Sequence, residues 1–266
     1  MRLIVNHTTS YDYDAPVIYG LQQIRLTPKE RAGQKTIDWD LTVEGGKIET
    51  SFNDQHANHV NLVSIDPGGD KLIIRCHGEI EVSESSGVIG QHRGFMALWN
   101  FKRETSLTTG GAAVAGLIAE LGNDYSDDIS KAHALSALIV QHVPYIIGKT
   151  NADTNAEDAM KAAGGVCQDH AHIFITAMRK LGYPARYVSG YLMMNDRVDQ
   201  DATHAWAEAY FEGIGWVGFD VSNGYSPDER YIRVATGLDY RDAAPVSGMR
   251  YGGTKENMIV QLQVQQ

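Results

Sequence analysis

The chain has 266 residues, 43% of them hydrophobic and 21% charged. That length fits one large domain or two ordinary ones, with apolar content enough for a buried core and against general disorder. A formal net charge of −10 argues against a general nucleic-acid binder, which needs positive surface to displace counterions.

Residues 1 to about 100 read as β-structure. Leu3-Ile4-Val5, Val17 to Leu26, Thr36 to Val43, His59 to Ile65, Lys71 to Cys76 and Gly78 to Val82 are short apolar or alternating runs. Gly45-Gly46, Asn53-Asp54 and Pro67-Gly68-Gly69-Asp70 punctuate them as turns. Ile37, Trp39, Leu41 and Val43 alternate with polar neighbours, which predicts one dry and one wet strand face. Many short strands at this spacing predict a sandwich or barrel.

The pattern changes near Thr108. Ala112, Ala115, Leu117, Ile118 and Leu121 follow helical spacing, and Gly122 is a stop. A second helix is expected from about Asp127 to His142, limited by Pro144. A third starts at Thr154, with Thr154 and Glu157 at capping-box spacing. A fourth runs from about Val166 to Leu181 and ends at Gly182. Strands follow at Ala185 to Met193, His204 to Phe211, Trp216 to Asp220 and Tyr231 to Val234. Met258, Val260, Leu262 and Val264 alternate in a closing strand. The expected division is a β-rich domain over 1–103, an α+β core over 104–243 and a C-terminal segment over 244–266. No signal-peptide pattern is visible at the N-terminus, and no apolar run approaches the roughly 20 residues of a membrane span. A cytoplasmic protein without a membrane partner is the expectation.

Two cysteines, Cys76 and Cys167, cannot build a disulfide framework, and no CxxC pair suggests a zinc knuckle. Cys76 sits in an alternating apolar strand and reads as a packing residue. Cys167 follows Gly164-Gly165-Val166 at a predicted helix start. The free N–H groups and positive dipole end there stabilise a thiolate and can donate to a developing oxyanion. A thiolate nucleophile needs an imidazole, and the imidazole needs an orienting group. His204 opens the strand His204-Ala205-Trp206-Ala207-Glu208, the turn Gly213-Ile214-Gly215 follows, and Trp216 to Asp220 returns antiparallel. Such a hairpin brings Asp220 to the His204 end, where it can fix the ring tautomer and leave the other nitrogen for Cys167.

Residues 165–174 (GVCQDHAHIF), 181–192 (LGYPARYVSGYL), 203–220 (THAWAEAYFEGIGWVGFD) and 221–224 (VSNG) together resemble the transglutaminase-like superfamily of cysteine enzymes. Within it they are similar to bacterial proteins described as cysteine proteases. The resemblance implies an α+β fold with a papain-like core, helices packed on an antiparallel sheet, behind an N-terminal β-sandwich or barrel-like domain. It implies a Cys167-His204-Asp220 triad that acts on a peptide or protein amide through a thioester. Hydrolysis is favoured over transfer to an amine acceptor, and no cofactor or metal is required. Tyr11-Asp12-Tyr13 and Ile24-Arg25-Leu26-Thr27-Pro28 resemble the opening of the family's N-terminal domain. Gln168 and Asp169 are expected to brace the site, and Trp206 and Tyr191 to line an acyl-donor groove or the core. Relatives often carry Gly where Ala57 stands, and Ala57 would resist a left-handed backbone.

Two other readings compete. The fold could serve as a non-catalytic peptide-binding or assembly module. Cys167, His170, His172 and His204 could bind zinc, although residues two apart on a helix face different sides.

Overall fold

The computed structural model describes residues 1–252 and 255–266. The first seven strands are β1 (Arg2–Tyr13), β2 (Tyr19–Ile24), β3 (Gln34–Glu44), β4 (Gly46–Asn53), β5 (His59–Ile65), β6 (Lys71–Val82) and β7 (Val88–Gly90). A short 3-10 helix, Leu98–Lys102, leads to four helices: α1 (Ala112–Leu121), α2 (Asp128–His142), α3 (Ala156–Ala162) and α4 (Cys167–Lys180). Then come β8 (Ala185–Leu192), β9 (Asp199–Gln200), β10 (His204–Phe211), β11 (Gly215–Phe219), β12 (Tyr231–Gly237), α5 (Tyr240–Ala243), β13 (Val246–Tyr251) and β14 (Glu256–Gln265). The fold is α+β, with a β-rich N-terminal part and a helix-on-sheet core. No helix among the described residues is long and apolar enough to cross a membrane.

Two sheets build the N-terminal part, in the orders β3-β6-β1-β14-β9 and β13-β2-β5-β4. Leu3 and Val5 of β1, Ile74 and Ile80 of β6, Val63 of β5 and Ile24 of β2 meet in one dry core. Every second residue of β1 and β6 is buried, the period-two pattern of a strand with one wet face. The closing strand β14 pairs with β1 over ten residues, from Ile4–Gln265 to Tyr13–Glu256. Chain ends far apart in sequence thus share one sheet.

Local readings and structure differ at three informative places. The apparent break before Gly78 does not exist, because β6 runs through it. A side chain at Gly78 would sit 2.2 Å from the Asp38 carbonyl and 2.7 Å from the Trp39 ring, so glycine here admits the neighbouring strand. The same stretch of β3 carries a register shift between Thr36 and Asp38. That shift turns Ile37 out to solvent, 41% exposed, away from the face it was expected to share. The third helix is capped by Asn155, whose side chain accepts from the Asp158 N–H, rather than by Thr154. Glu157 turns instead to α1 and accepts from Gly111, Ala113 and Val114 N–H at 2.8, 3.0 and 3.1 Å. Burial disfavours its charge, but these three donors win and hold its carboxyl down at about 2.

The core sheet has the order β12-β8-β10-β11-β7, so the short strand at Val88–Gly90 joins this sheet and not the N-terminal ones. Ala205, Ala207, Ala209 and Phe211 of β10 pack with Phe174, Ile175 and Met178 of α4. The small alanines let the helix approach closely. Every residue of α4 from Asp169 to Arg179 is buried, so the helix is central rather than a surface cover. This rigid seat fixes where the N-terminus of α4 points.

Candidate active site

Cys167 is the first residue of α4, so its N–H is among those a helix leaves without an intrahelical partner. The turn into it is braced by Asp169. One carboxylate oxygen accepts from the Val166 N–H at 2.8 Å and from the Thr150 hydroxyl at 2.6 Å. A side chain at Gly165 would lie 2.7–2.9 Å from that carboxylate, which explains the glycine before the cysteine. Gln168 donates to the Ala152 carbonyl at 3.1 Å and ties the preceding loop down.

His204 opens β10, opposite Gly190 of β8. Its Nε2 meets Asp220 Oδ2 at 2.6 Å. The Cys167 thiol is its other neighbour and, after Asp220, favours charge on the ring. With Nε2 committed to Asp220, Nδ1 is the nitrogen left for sulfur. Asp220 lies just past β11 and is 1% exposed. The same Oδ2 accepts from the Tyr231 hydroxyl at 2.6 Å and from Asn223 Nδ2 at 2.7 Å. Burial opposes charge on both partners. For Asp220 the neighbouring His204, Tyr231 and Asn223 outweigh it and hold the carboxyl below its ordinary range. For His204 the carboxylate and the thiol outweigh it and raise the imidazole to about 10. The hairpin β10–β11, paired from Ala207–Phe219 to Phe211–Gly215, delivers this contact.

The remaining predicted positions separate. Trp206 is 2% exposed and packs edge-on against Tyr231, with ring centroids 5.4 Å apart, so it walls His204 rather than lining open space. Tyr191 is not at the site. It is fully buried in the N-terminal core, with its hydroxyl 2.9 Å from His7 Nδ1, because the end of β8 runs under the N-terminal sheet. His170 is engaged at both nitrogens, by Ser222 at 2.8 Å and by the Val143 carbonyl at 2.7 Å. His172 Nε2 accepts from the Tyr240 N–H at 3.1 Å. Cys76 is buried in the N-terminal core, and burial, then Asp40, pushes its thiol up to about 12.

Residue-by-residue reading missed Tyr145, Tyr231 and Asn223. Tyr145 lies in a parallel bridge to Gly165, with Ile146 N–H on the Gly165 carbonyl at 2.7 Å, and its phenol is pushed up to about 12 by burial first and then by the neighbouring Cys167. It is 52% exposed, so it forms one open side of the site. Nothing in its local sequence marks it, since the bridge joins segments twenty residues apart. Tyr231 becomes visible only once β12 is placed beside β8.

A thiol at a helix start, an imidazole on a strand and a buried carboxylate on the next strand match known sequences. Residues 115–221 match the model of the transglutaminase-like superfamily, and residues 3–81 match that of the bacterial transglutaminase-like N-terminal region. The chain carries a transglutaminase-like core behind a bacterial transglutaminase-like N-terminal region. Members of this superfamily are cysteine-dependent enzymes. An uncharacterized protein of Mycobacterium leprae is 26% identical over 279 residues, covering 99% of this chain and 98% of its own. A protein-glutamine gamma-glutamyltransferase of Pseudomonas aeruginosa is 29% identical over 154 residues, covering 48% of this chain and 22% of its own. A crystal structure from Cytophaga hutchinsonii, named a "Putative Cysteine Protease", superposes with a TM-score of 0.75. It covers 100% of this chain and 98% of that one at 21% identity, which shows a shared fold.

Proposed function

We propose that this transglutaminase-like protein is a thiol hydrolase that cleaves a peptide or protein amide, with Cys167 as nucleophile, His204 as acid–base and Asp220 as orienter. The observation that carries the reading is the buried His204–Asp220 pair, 2.6 Å apart, whose ring also feels the Cys167 thiol at the start of α4.

In this mechanism the Cys167 sulfur attacks the amide carbonyl carbon while His204 holds the thiol proton. The Cys167 N–H donates to the oxygen of the tetrahedral adduct. Collapse breaks the C–N bond, and His204 delivers its proton to the departing amine. The thioester is then attacked by water, whose proton returns to His204, and the acid leaves. An amine in place of water gives transamidation with the same residues. The protease name of the Cytophaga structure supports water as the acceptor, and the glutamyltransferase name of the Pseudomonas relative supports the amine. A cytoplasmic location and a peptide or protein partner are part of the same proposal.

The test is a mass-spectrometric search for an acyl adduct on Cys167 after incubation with peptide libraries, with and without added amines. An adduct that decays to free acid even when amine is present supports hydrolysis, and capture by amine assigns transfer. No adduct on Cys167 with any library overturns the enzyme reading and leaves a non-catalytic peptide-binding module.

A further inference from the structure

A second cavity of about 680 Å³ lies on the core sheet away from Cys167. Its walls come from the loops before β3 and between β4 and β5, the segment after β7, and Arg186 of β8, Trp216 of β11 and Arg233 of β12. Neither Cys167, His204 nor Asp220 lines it. Along β10, His204, Trp206 and Glu208 share one face. Buried Trp206 therefore stands between the thiol site and the Glu208 end, about 13 Å along the strand.

The charge pattern of this cavity opposes that of the chain. The protein carries a formal charge of −10, yet four guanidiniums, Arg31, Arg93, Arg186 and Arg233, line the cavity with Lys29 against one carboxylate, Glu30. Beneath the wall, the fully buried Glu208 accepts from Arg186 Nε at 2.5 Å and from Arg233 Nε at 2.7 Å. One carboxylate under two guanidiniums fixes both but neutralises only one. Arg186 also lies flat over the Trp216 ring at 3.8 Å. The wall is thus built from clamped side chains and not from mobile surface ones. Two further groups of the wall are partly satisfied: His56 Nε2 meets Asp242 Oδ2 at 3.1 Å, and Arg31 Nη1 donates to the Ala32 carbonyl at 3.0 Å. Arg31 Nε is buried without a hydrogen-bond partner, and so is Nδ1 of His56, whose side chain is 1% exposed. Burial first, then Arg233 and Arg186, lowers the Lys29 ammonium to about 6 against the opposing pull of Asp54 and Glu208. Ala57, also in the wall, holds the left-handed conformation, φ +56°, which a side chain disfavours and which recurs at ligand sites.

We propose that this cavity binds a small polyanion, a molecule carrying phosphate or carboxylate groups, gripped by Arg31, Arg93, Arg186 and Arg233. Planar guanidiniums match both oxyanions in paired hydrogen bonds, and the volume suits a metabolite-sized ligand. The site is separate from the thiol site and does not depend on the reaction proposed there.

The test is isothermal titration of the full chain at neutral pH and fixed ionic strength with two probes, pyrophosphate and citrate. Saturable binding of at least one probe is expected, weakened at least about tenfold in the double variant Arg31→Gln, Arg93→Gln. Neither side chain holds an ion pair among the described residues, so the fold should persist, checked by the urea midpoint. Pyrophosphate alone assigns a phosphate ligand, citrate alone a carboxylate ligand, and both a site that reads charge. Should the double variant not fold, Glu30→Gln decides. Removing the one lining carboxylate must tighten binding. No saturable binding of either probe up to about 5 mM, or an affinity unchanged in these variants, overturns the proposal.

Discussion

Replacing Asp220 by Asn keeps the shape of the carboxylate and removes its charge. In the native chain one oxygen of Asp220 collects His204, Tyr231 and Asn223 at 2.6, 2.6 and 2.7 Å. The His204 imidazole stands at about 10 against an ordinary 6.5, in spite of burial, which alone would lower it. That rise corresponds to roughly 5 kcal/mol of preference for imidazolium, shared between Asp220 and the thiol. A charge-assisted bond is worth about 1.5–3 kcal/mol, so Asp220→Asn lowers the equilibrium constant for proton transfer from thiol to ring by roughly tenfold to a hundredfold. The assay needs no substrate: iodoacetamide labelling of Cys167 at pH 6, followed by mass spectrometry, with Cys76 as the internal slow thiol. Wild-type Cys167 should react quickly, and the variant more slowly, by up to about a hundredfold. The sign of the stability effect follows from the same shifts. The raised His204 stabilises the fold fully below pH 6.5, and that contribution disappears as pH rises through about 10. The depressed Asp220 contributes above about 3.8 and loses its share as pH falls below that. The urea stability gap between wild type and variant should therefore be widest between about pH 4 and 6.5, and narrow by pH 10. Equal labelling rates for the two proteins at pH 6 would refute the coupling of Asp220 to Cys167 through His204.

Glu157→Gln should cost about 1–2 kcal/mol in urea unfolding at pH 7, because it weakens three hydrogen bonds at the start of α1. The native carboxyl is depressed to about 2, so the difference is present above pH 4.5 and fades as pH falls toward 2. Ala57→Gly should raise stability by about 1 kcal/mol, since glycine accepts φ +56° without strain; an unchanged or lower urea midpoint would contradict this. Gly190→Ala should lower stability by about 2 kcal/mol or more and slow Cys167 labelling. The added carbon would meet the Ile232 carbonyl at 2.1 Å and the Trp206 ring at 2.6 Å, beside His204.

The thiol site was legible in sequence because its parts sit at local landmarks. A glycine pair and a cysteine at a helix start, and a histidine and an aspartate at the two open ends of one hairpin, need only local geometry to be placed. Asp169 was expected to brace the site, and its carboxylate does hold the Val166 N–H at the turn into α4. Tyr145 and Tyr231 were not, because each reaches the site through pairing with a segment distant in sequence. The same limit explains Glu157. Its spacing from Thr154 fits a local cap, but the N-terminus of α1 stood closer once α1 and α3 had packed.

Alternation and helical periodicity determined the β-rich first part and the four helices after it, with Cys167 at the start of the fourth. Tertiary structure decided that β6 continues through Gly78, that β14 returns to pair with β1, and that Tyr191 belongs to the N-terminal core. It also decided that arginines scattered from Arg31 to Arg233 share one cavity on an acidic protein. The physical reason is common to all of these. Periodicity reports which face of an element avoids water, whereas the partner that covers the face is chosen by packing between segments that sequence distance does not connect.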